Sequence, residues 1–295
     1  MADCVFELLP FHSLNNTELR NLLHCFQYKL DINLEINYKP LQEYIENNFF
    51  YSSPQSTVFK NLSIQEFNNE LHSKIHLLTN GISVIHLNIR SLNANLEEFQ
   101  TFVSSFSNPV DVFILTELWT TNIQFMQKSL QHYNFYTDLP VGTRVGGVGV
   151  FIRKNLQVFI RDDLKITLDH PYLCENIWLE VNNKTSRFLI AGLYRHPHHN
   201  LDNYIEKLEL NLDKIEGAQP GCPCIIATDS NINLLKFESN AVIKNYINTL
   251  AMHNFFPMVL SPTRLTVTSA TLIDHIYYNS KNKAENLCTI SGNIM

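Results

Sequence analysis

AGLYRHPHHN, residues Ala191 to Asn200, and CIIATDSNINLL, residues Cys224 to Leu235, decide how this chain is read. The first continues an apolar run, RFLIAGLY, whose composition predicts a buried strand ending at Tyr194. The second is another apolar run, closing on Asp229 and Asn231. A strand that runs into a turn presents its last side chains at the rim of a sheet. Residues two apart on an extended segment point the same way, so Asp229 and Asn231 share a face. A carboxylate, an amide and a phenol at strand ends make a polar pocket on an apolar scaffold.

Outward from these runs the pattern is α/β from Ile82 onward. ISVIHLNI reads as a strand, and Asn93 to Phe106 as an amphipathic helix with Leu96, Phe99, Phe102, Val103 and Phe106 on one side. VDVFILT, Val110 to Thr116, is a second buried strand that delivers Glu117. Gly146 to Ile152 is a glycine-led strand. Asn176 to Val181 and Arg187 to Tyr194 read as a hairpin joined by Asn182, Asn183 and Lys184. Leu201 to Ile215 and Ser239 to Asn254 read as helices, and Thr271 to Tyr278 as a strand carrying Asp274. Strand ends thus offer Asn88, Glu117, Tyr194, Asp229, Asn231 and Asp274. Converging carboxylates and amides suit a hard cation such as Mg²⁺, which takes oxygen ligands. Taken singly, each has an ordinary reading: turn former, helix acid, strand aromatic or surface acid.

Residues 1–79 read differently. Asn15 to Leu30 and Ser63 to Leu78 suggest helices, separated by a polar stretch broken by Pro40 and Pro54. No chemical constellation is found there, and the segment reads as a leader or linker with short helices, rather than as a partner-binding arm, ahead of a domain over 80–295. The chain has 295 residues and a net charge of -6, which argues against coating nucleic acid by bulk charge but allows a local grip on phosphates. Six scattered cysteines, Cys222 and Cys224 included, read as reduced and buried rather than as a disulfide framework. No signal peptide is read at the N-terminus, and no apolar run approaches the ~20 residues of a membrane span. His196, His198 and His199 read as solvated loop histidines.

IHLNIRSL, ILTELW, GGVGVFI, GLYRHP, IIATDSNINLL and SPTRLTVTSATLIDHIYYN occur in one order. Together they resemble the endonuclease/exonuclease/phosphatase superfamily, and more narrowly the apurinic-like endonuclease domain of non-LTR retrotransposons. The resemblance covers about residues 80–295. It implies a four-layer α/β sandwich of two sheets flanked by helices, and Mg²⁺-dependent hydrolysis of a DNA phosphodiester, with Mn²⁺ as the alternative ion. Carried over by motif, Asn88 is the active-site asparagine and Glu117 the metal ligand. Tyr194 contacts the phosphate, Asp229 and Asn231 form the Asp-x-Asn that handles the attacking water, and Asp274 orients a catalytic histidine. Arg90, Arg195 and Arg264, near motif ends, fit phosphate contacts.

Three departures matter. Thr228 and Ser230 replace the usual glycine and aromatic around Asp229. The family's terminal Ser-Asp-His is absent from the sequence as given, which stops at Met295. His275 does not replace that histidine, because residues adjacent on a strand face opposite sides. The resemblance therefore implies a DNA endonuclease-type domain that cleaves poorly or not at all as given. Two rivals stay open: a non-catalytic retrotransposon remnant that binds nucleic acid or protein, and a same-fold phosphatase on a small substrate.

Overall fold

The computed structural model describes residues 40–48 without 42 and 46, 60–62, 68–69, 290–292, and 81–279 without 121–122, 169–173, 185, 219, 261 and 266–268. The helix expected over Asn15 to Leu30 lies outside the described residues. Of the one expected over Ser63 to Leu78, only 68–69 are described, and they are helical.

Apolar runs with alternating faces form the strands. In chain order these are β1 (Val84–Asn88), β2 (Val112–Thr116), β3 (Tyr133–Asp138), β4 (Val148–Arg153), β5 (Gln157–Ile160), β6 (Cys174–Asn182), β7 (Arg187–Arg195), β8 (Cys224–Asp229), β9 (Phe255–Pro257) and β10 (Asp274–Asn279). One sheet has the order β1-β2-β4-β3 and the other β9-β10-β8-β7-β6-β5. β1 and β2 run parallel, as do β7 and β8, while their other neighbours pair antiparallel. The parallel pairs matter for the site. They bring the C-terminal ends of β1 and β2 to one rim, and those of β7 and β8 to the matching rim of the other sheet.

The core is layered by period-two alternation. On β2, Val112 and Ile114 face the second sheet, packing with Ile177, Leu179, Ile190 and Ala227. Phe113 and Leu115 face outward, onto Phe99 and Phe102 of α1 (Leu96–Ser104). A short helix, α2 (Ile123–Gln127), contributes Met126 to the same layer. On the far side, Trp178, Leu189 and Ile226 meet α3 (Leu201–Ala218) and α4 (Ala241–Met252). The result is the helix–sheet–sheet–helix sandwich. The sheets approach closely at Gly192, where a Cβ would lie 2.8 Å from Val148 and 2.9 Å from Ile114.

Among the labelled elements, those not anticipated are short or lie at sheet edges: α2, β3, β5 and β9. β3 is an edge strand of mixed polarity, and β5 is a four-residue edge strand whose Phe159 and Ile160 are exposed. Strands so short or so mixed lack the long apolar runs that mark the buried ones. The strand expected over Thr271 to Tyr278 is broken, with a two-residue piece at Ala270–Thr271 and β10 beginning at Asp274.

Residues before the sandwich also join its core. Leu41 is fully buried and Ile45 nearly so, both packed with the α3 and α4 side chains. The Tyr44 hydroxyl donates to Asn248 Oδ1 on α4 at 2.7 Å, and Lys244 lies over its ring. Asn68 donates to the Ser105 carbonyl, just past α1. Residues 60–62 pair in parallel with 290–292. Leu41→Ala should lower stability by about 2–5 kcal/mol, the range for a buried leucine truncated in a packed core. Urea unfolding of the full chain measures it. A loss below about 0.5 kcal/mol, as at a surface site, would mean that this segment does not fold with the sandwich.

Arg195, read from sequence as a phosphate contact, is built into the scaffold instead. It is buried, with Nε donating to the Ser230 carbonyl at 2.7 Å, Nη1 to His199 at 3.0 Å and Nη2 to Asn231 at 3.3 Å. Its guanidinium also lies over the Tyr204 ring. A phosphate would have to displace these backbone carbonyls. Arg195→Lys keeps the charge but loses the planar fork. The orphaned carbonyls should lower stability by about 1–3 kcal/mol. Chemical denaturation reads this directly, and an unchanged midpoint would return Arg195 to the pool of substrate contacts.

Candidate active site

The strand ends deliver the site. β1 ends at Asn88 and β2 passes directly into Glu117, both in the first sheet. β8 ends at Asp229 and β10 begins at Asp274, directly opposite it in antiparallel register. Tyr194 stands opposite Asp229 on the other side, in the parallel β7–β8 pair. Within the second sheet, pairing alone therefore aligns the phenol and both carboxyl groups.

One amide joins the two sheets. Asn88 Nδ2 donates to Glu117 Oε1 at 2.8 Å and to Asp229 Oδ2 at 2.8 Å. Its Oδ1 accepts from the Arg90 backbone N–H at 3.2 Å, which fixes the amide's orientation. Asp229 Oδ1 accepts from the Asn231 N–H at 3.2 Å, a local Asx turn, while Asn231 Nδ2 donates to the Arg195 carbonyl at 2.8 Å. Asp274 Oδ2 accepts from the Thr263 hydroxyl at 3.2 Å, and its Oδ1 is buried without a hydrogen-bond partner among the described residues. Thr263 was not singled out in the sequence, since a threonine in a turn-rich stretch carries no periodic signal.

The backbone around this rim is strained. Among the described residues, six non-glycine residues have positive φ. Five lie here: Arg90 and Ser91 after β1, Glu117 and Trp119 after β2, and Asn231 after β8. Left-handed backbone at a non-glycine residue costs energy and persists where surrounding contacts impose it, commonly at functional sites.

The electrostatics follow from crowding buried acids. Burial pushes the Asp229 carboxyl up, and the neighbouring Glu117 charge adds to this. Asp274 is raised well above the usual carboxylate range by burial, then by Asp229. Burial also raises the Tyr194 phenol, with Glu117 and Asp229 contributing, so Tyr194 is a neutral O–H. His275, next to Asp274, faces the other way. It is fully buried, with its Nε2 against the Leu272 carbonyl and its Nδ1 against Ser230 and Tyr277, and burial lowers it to about 4. That is the alternation expected for adjacent strand residues. Arg90 and Arg264 are both half-buried at this end, Arg264 close enough for its charge to act on Asp274.

The donor set fits a hard divalent cation. Glu117 and Asp229 bring carboxyl oxygens to the Asn88 Nδ2, while the Asn88 Oδ1 is turned to the Arg90 N–H, and the two acids repel one another in a buried setting. An ion there would relieve that repulsion. Among the described residues, no group of three or more His, Cys, Asp or Glu side chains stands at metal-binding spacing. Glu117 is the one half-exposed acid of this group.

The family described as Endonuclease/Exonuclease/phosphatase matches residues 85–286. No curated protein matches the chain. Among solved structures, the endonuclease domain of TRAS1, a telomere-specific non-LTR retrotransposon, is similar with a TM-score of 0.51 at 11% identity, over 66% of this chain and 83% of that one. A mannosyl-6-phosphatase of Bacteroides thetaiotaomicron VPI-5482 is similar with a TM-score of 0.49 at 15% identity, over 68% and 86%. D. rerio TDP2, solved with a single-strand DNA product, gives 0.47 at 17% identity, over 69% and 85%. The TRAS1 likeness is one of fold. The family match runs through both sheets, from β1 to beyond β10, and on that match the chain belongs to the endonuclease/exonuclease/phosphatase family.

Proposed function

We propose that this chain is a retrotransposon-derived, divalent-metal-dependent phosphodiesterase that acts on DNA, with Mg²⁺ as the ion. The observation that carries the reading is the Asn88 amide, bonded at once to Glu117 and Asp229 from opposite sheets. It gathers an acid that faces solvent and an acid that is buried at one rim, beside a neutral phenol. Such a set handles a phosphate, a water and a cation together.

Each residue has a task in this reading. Glu117 would hold the ion, with the Asn88 amide fixing its carboxylate. A bound Mg²⁺ supplies charge stabilisation to a phosphoryl oxygen. Asp229, buried and crowded, holds the proton taken from the attacking water. Asn231, after the Asx turn, keeps the Asp229 carboxylate and the end of β7 in register. Tyr194 donates its O–H to a non-bridging phosphate oxygen. Asp274 and its Thr263 partner support the Asp229 side of the pocket, and in this reading Arg90 and Arg264, half-buried near the rim, take the DNA backbone. The net charge of -6 fits recognition through these few groups rather than through a broad basic surface.

The test is single-turnover nicking of supercoiled plasmid by the full chain, with Mg²⁺ or with EDTA. Nicking should require the metal and fall by about 10²–10³-fold in Glu117→Ala, the scale for losing a charge-stabilising group. Asp229→Asn should be impaired in the same assay. Nicking that persists in Glu117→Ala would overturn the assignment. Metal-dependent hydrolysis of p-nitrophenyl phosphate without nicking would point to a small-substrate phosphatase instead.

A further inference from the structure

Glu175 lies on the wrong side of its strand for a charged residue. On β6 it shares a face with Ile177, Leu179 and Val181, which pack between the two sheets. It is 1% exposed. A carboxylate in that position must be paired or hydrogen-bonded. Two groups meet it. The Gly147 N–H donates to Oε2 at 3.0 Å, and His196 Nε2 lies 3.1 Å from Oε1 and 3.2 Å from Oε2. Carboxylate oxygens only accept here, so Nε2 carries the ring's hydrogen.

Both partners lead to the site. Gly146 and Gly147 accept through their carbonyls from Trp119 and Leu118, at 3.1 Å and 3.4 Å. Those are the residues directly after Glu117, where φ is 55° at Glu117 and 45° at Trp119. The glycine loop is thus the backing of the strained turn that aims Glu117. In the other direction, the His196 ring packs edge-on against Tyr194, with centroids 4.8 Å apart. Glu175 and Tyr194 also stand opposite each other in the β6–β7 register. The space is filled: a Cβ on Gly146 would come within 2.7 Å of Glu175 and 3.0 Å of His196, and φ there is +109°.

We propose that Glu175 and His196 are a positioning dyad of the active site. Glu175 sets the Glu117 turn through the Gly146–Gly147 loop, and His196 sets the Tyr194 ring. The dyad locks the ion-holding and phosphate-contacting halves of the pocket at a fixed separation. The inference rests on the functional reading above, and it assigns a role to a histidine that the sequence presents as one of three in a loop. Groups that fix the orientation of a metal ligand, here through the Gly146–Gly147 loop, commonly alter affinity or activity when changed.

The experiment compares the full chain with Glu175→Ala, Glu175→Gln, His196→Gln and, as a neighbouring exposed control, His198→Ala. Three quantities are read: Mg²⁺ affinity by calorimetry with the metal alone, kcat and KM for plasmid nicking, and stability to urea. Glu175→Ala should weaken Mg²⁺ binding and kcat by roughly 10- to 100-fold. Glu175→Gln keeps an oxygen for the Gly147 N–H and should recover Mg²⁺ affinity. His196→Gln should lower kcat while leaving Mg²⁺ affinity intact, and His198→Ala should match the unaltered chain. If Glu175→Ala does not fold, the His196→Gln split between kcat and metal affinity decides. Wild-type Mg²⁺ affinity and kcat in folded Glu175 and His196 variants, whatever their stability, would overturn the dyad alone. An unaltered chain that neither binds Mg²⁺ nor nicks DNA would overturn the functional reading and the dyad with it.

Discussion

The Asn88 amide is the constraint on which the site depends. It offers two hydrogens, and each goes to a different acid, one from each sheet. A carboxylate pair brought this close in a buried setting is self-repelling. The amide offsets part of that repulsion with two charge-assisted bonds, and its own carbonyl is pinned by the Arg90 N–H. The same crowding raises both Asp229 and Asp274.

The scaffold is built to hold that amide in place. Two parallel pairs, β1–β2 and β7–β8, send their C-terminal ends to one rim. The chain leaves these strands through left-handed residues, at Arg90, Ser91, Glu117, Trp119 and Asn231. Strain of this kind survives because buried hydrogen bonds hold each turn. Arg195 secures the turn after Asp229 through the Ser230 and Asn231 carbonyls, and Glu175 backs the turn after Glu117 through Gly147. Close packing at Gly192 leaves the sheets little freedom to slide. The turns around the pocket are therefore braced by groups that never reach its surface.

Side-chain alternation divides neighbouring residues between chemistry and support. Asp274 faces the pocket, while His275 joins Ser230, Tyr277 and Tyr246 beneath it. Tyr194 faces the pocket, while Arg195 turns into the scaffold. Ser230 in place of an aromatic fits the same division, since its hydroxyl lies within hydrogen-bonding distance of the Ile273 carbonyl and of His275 Nδ1.

Much of this was legible in the amino-acid order. Apolar runs bounded by turn residues specified the buried strands, and 3.6-residue spacing specified α1, α3 and α4, because burial imposes those periods on any sequence. The strand-end positions of Asn88, Glu117, Tyr194, Asp229 and Asp274 followed from the same pattern. Edge strands β3 and β5 did not show, β3 because its residues are of mixed polarity and β5 because it is only four residues long. Nor could one-dimensional pattern separate Arg195, buried among carbonyls, from Arg90 and Arg264. Glu175 carried a readable signal, a carboxylate on the core-facing stripe of β6, but its partners lie 28 residues back at Gly147 and 21 ahead at His196. Local sequence determines which face a side chain takes. Only the pairing of distant strands decides which hydrogen-bond partner waits there, and a buried polar group takes its role from that partner.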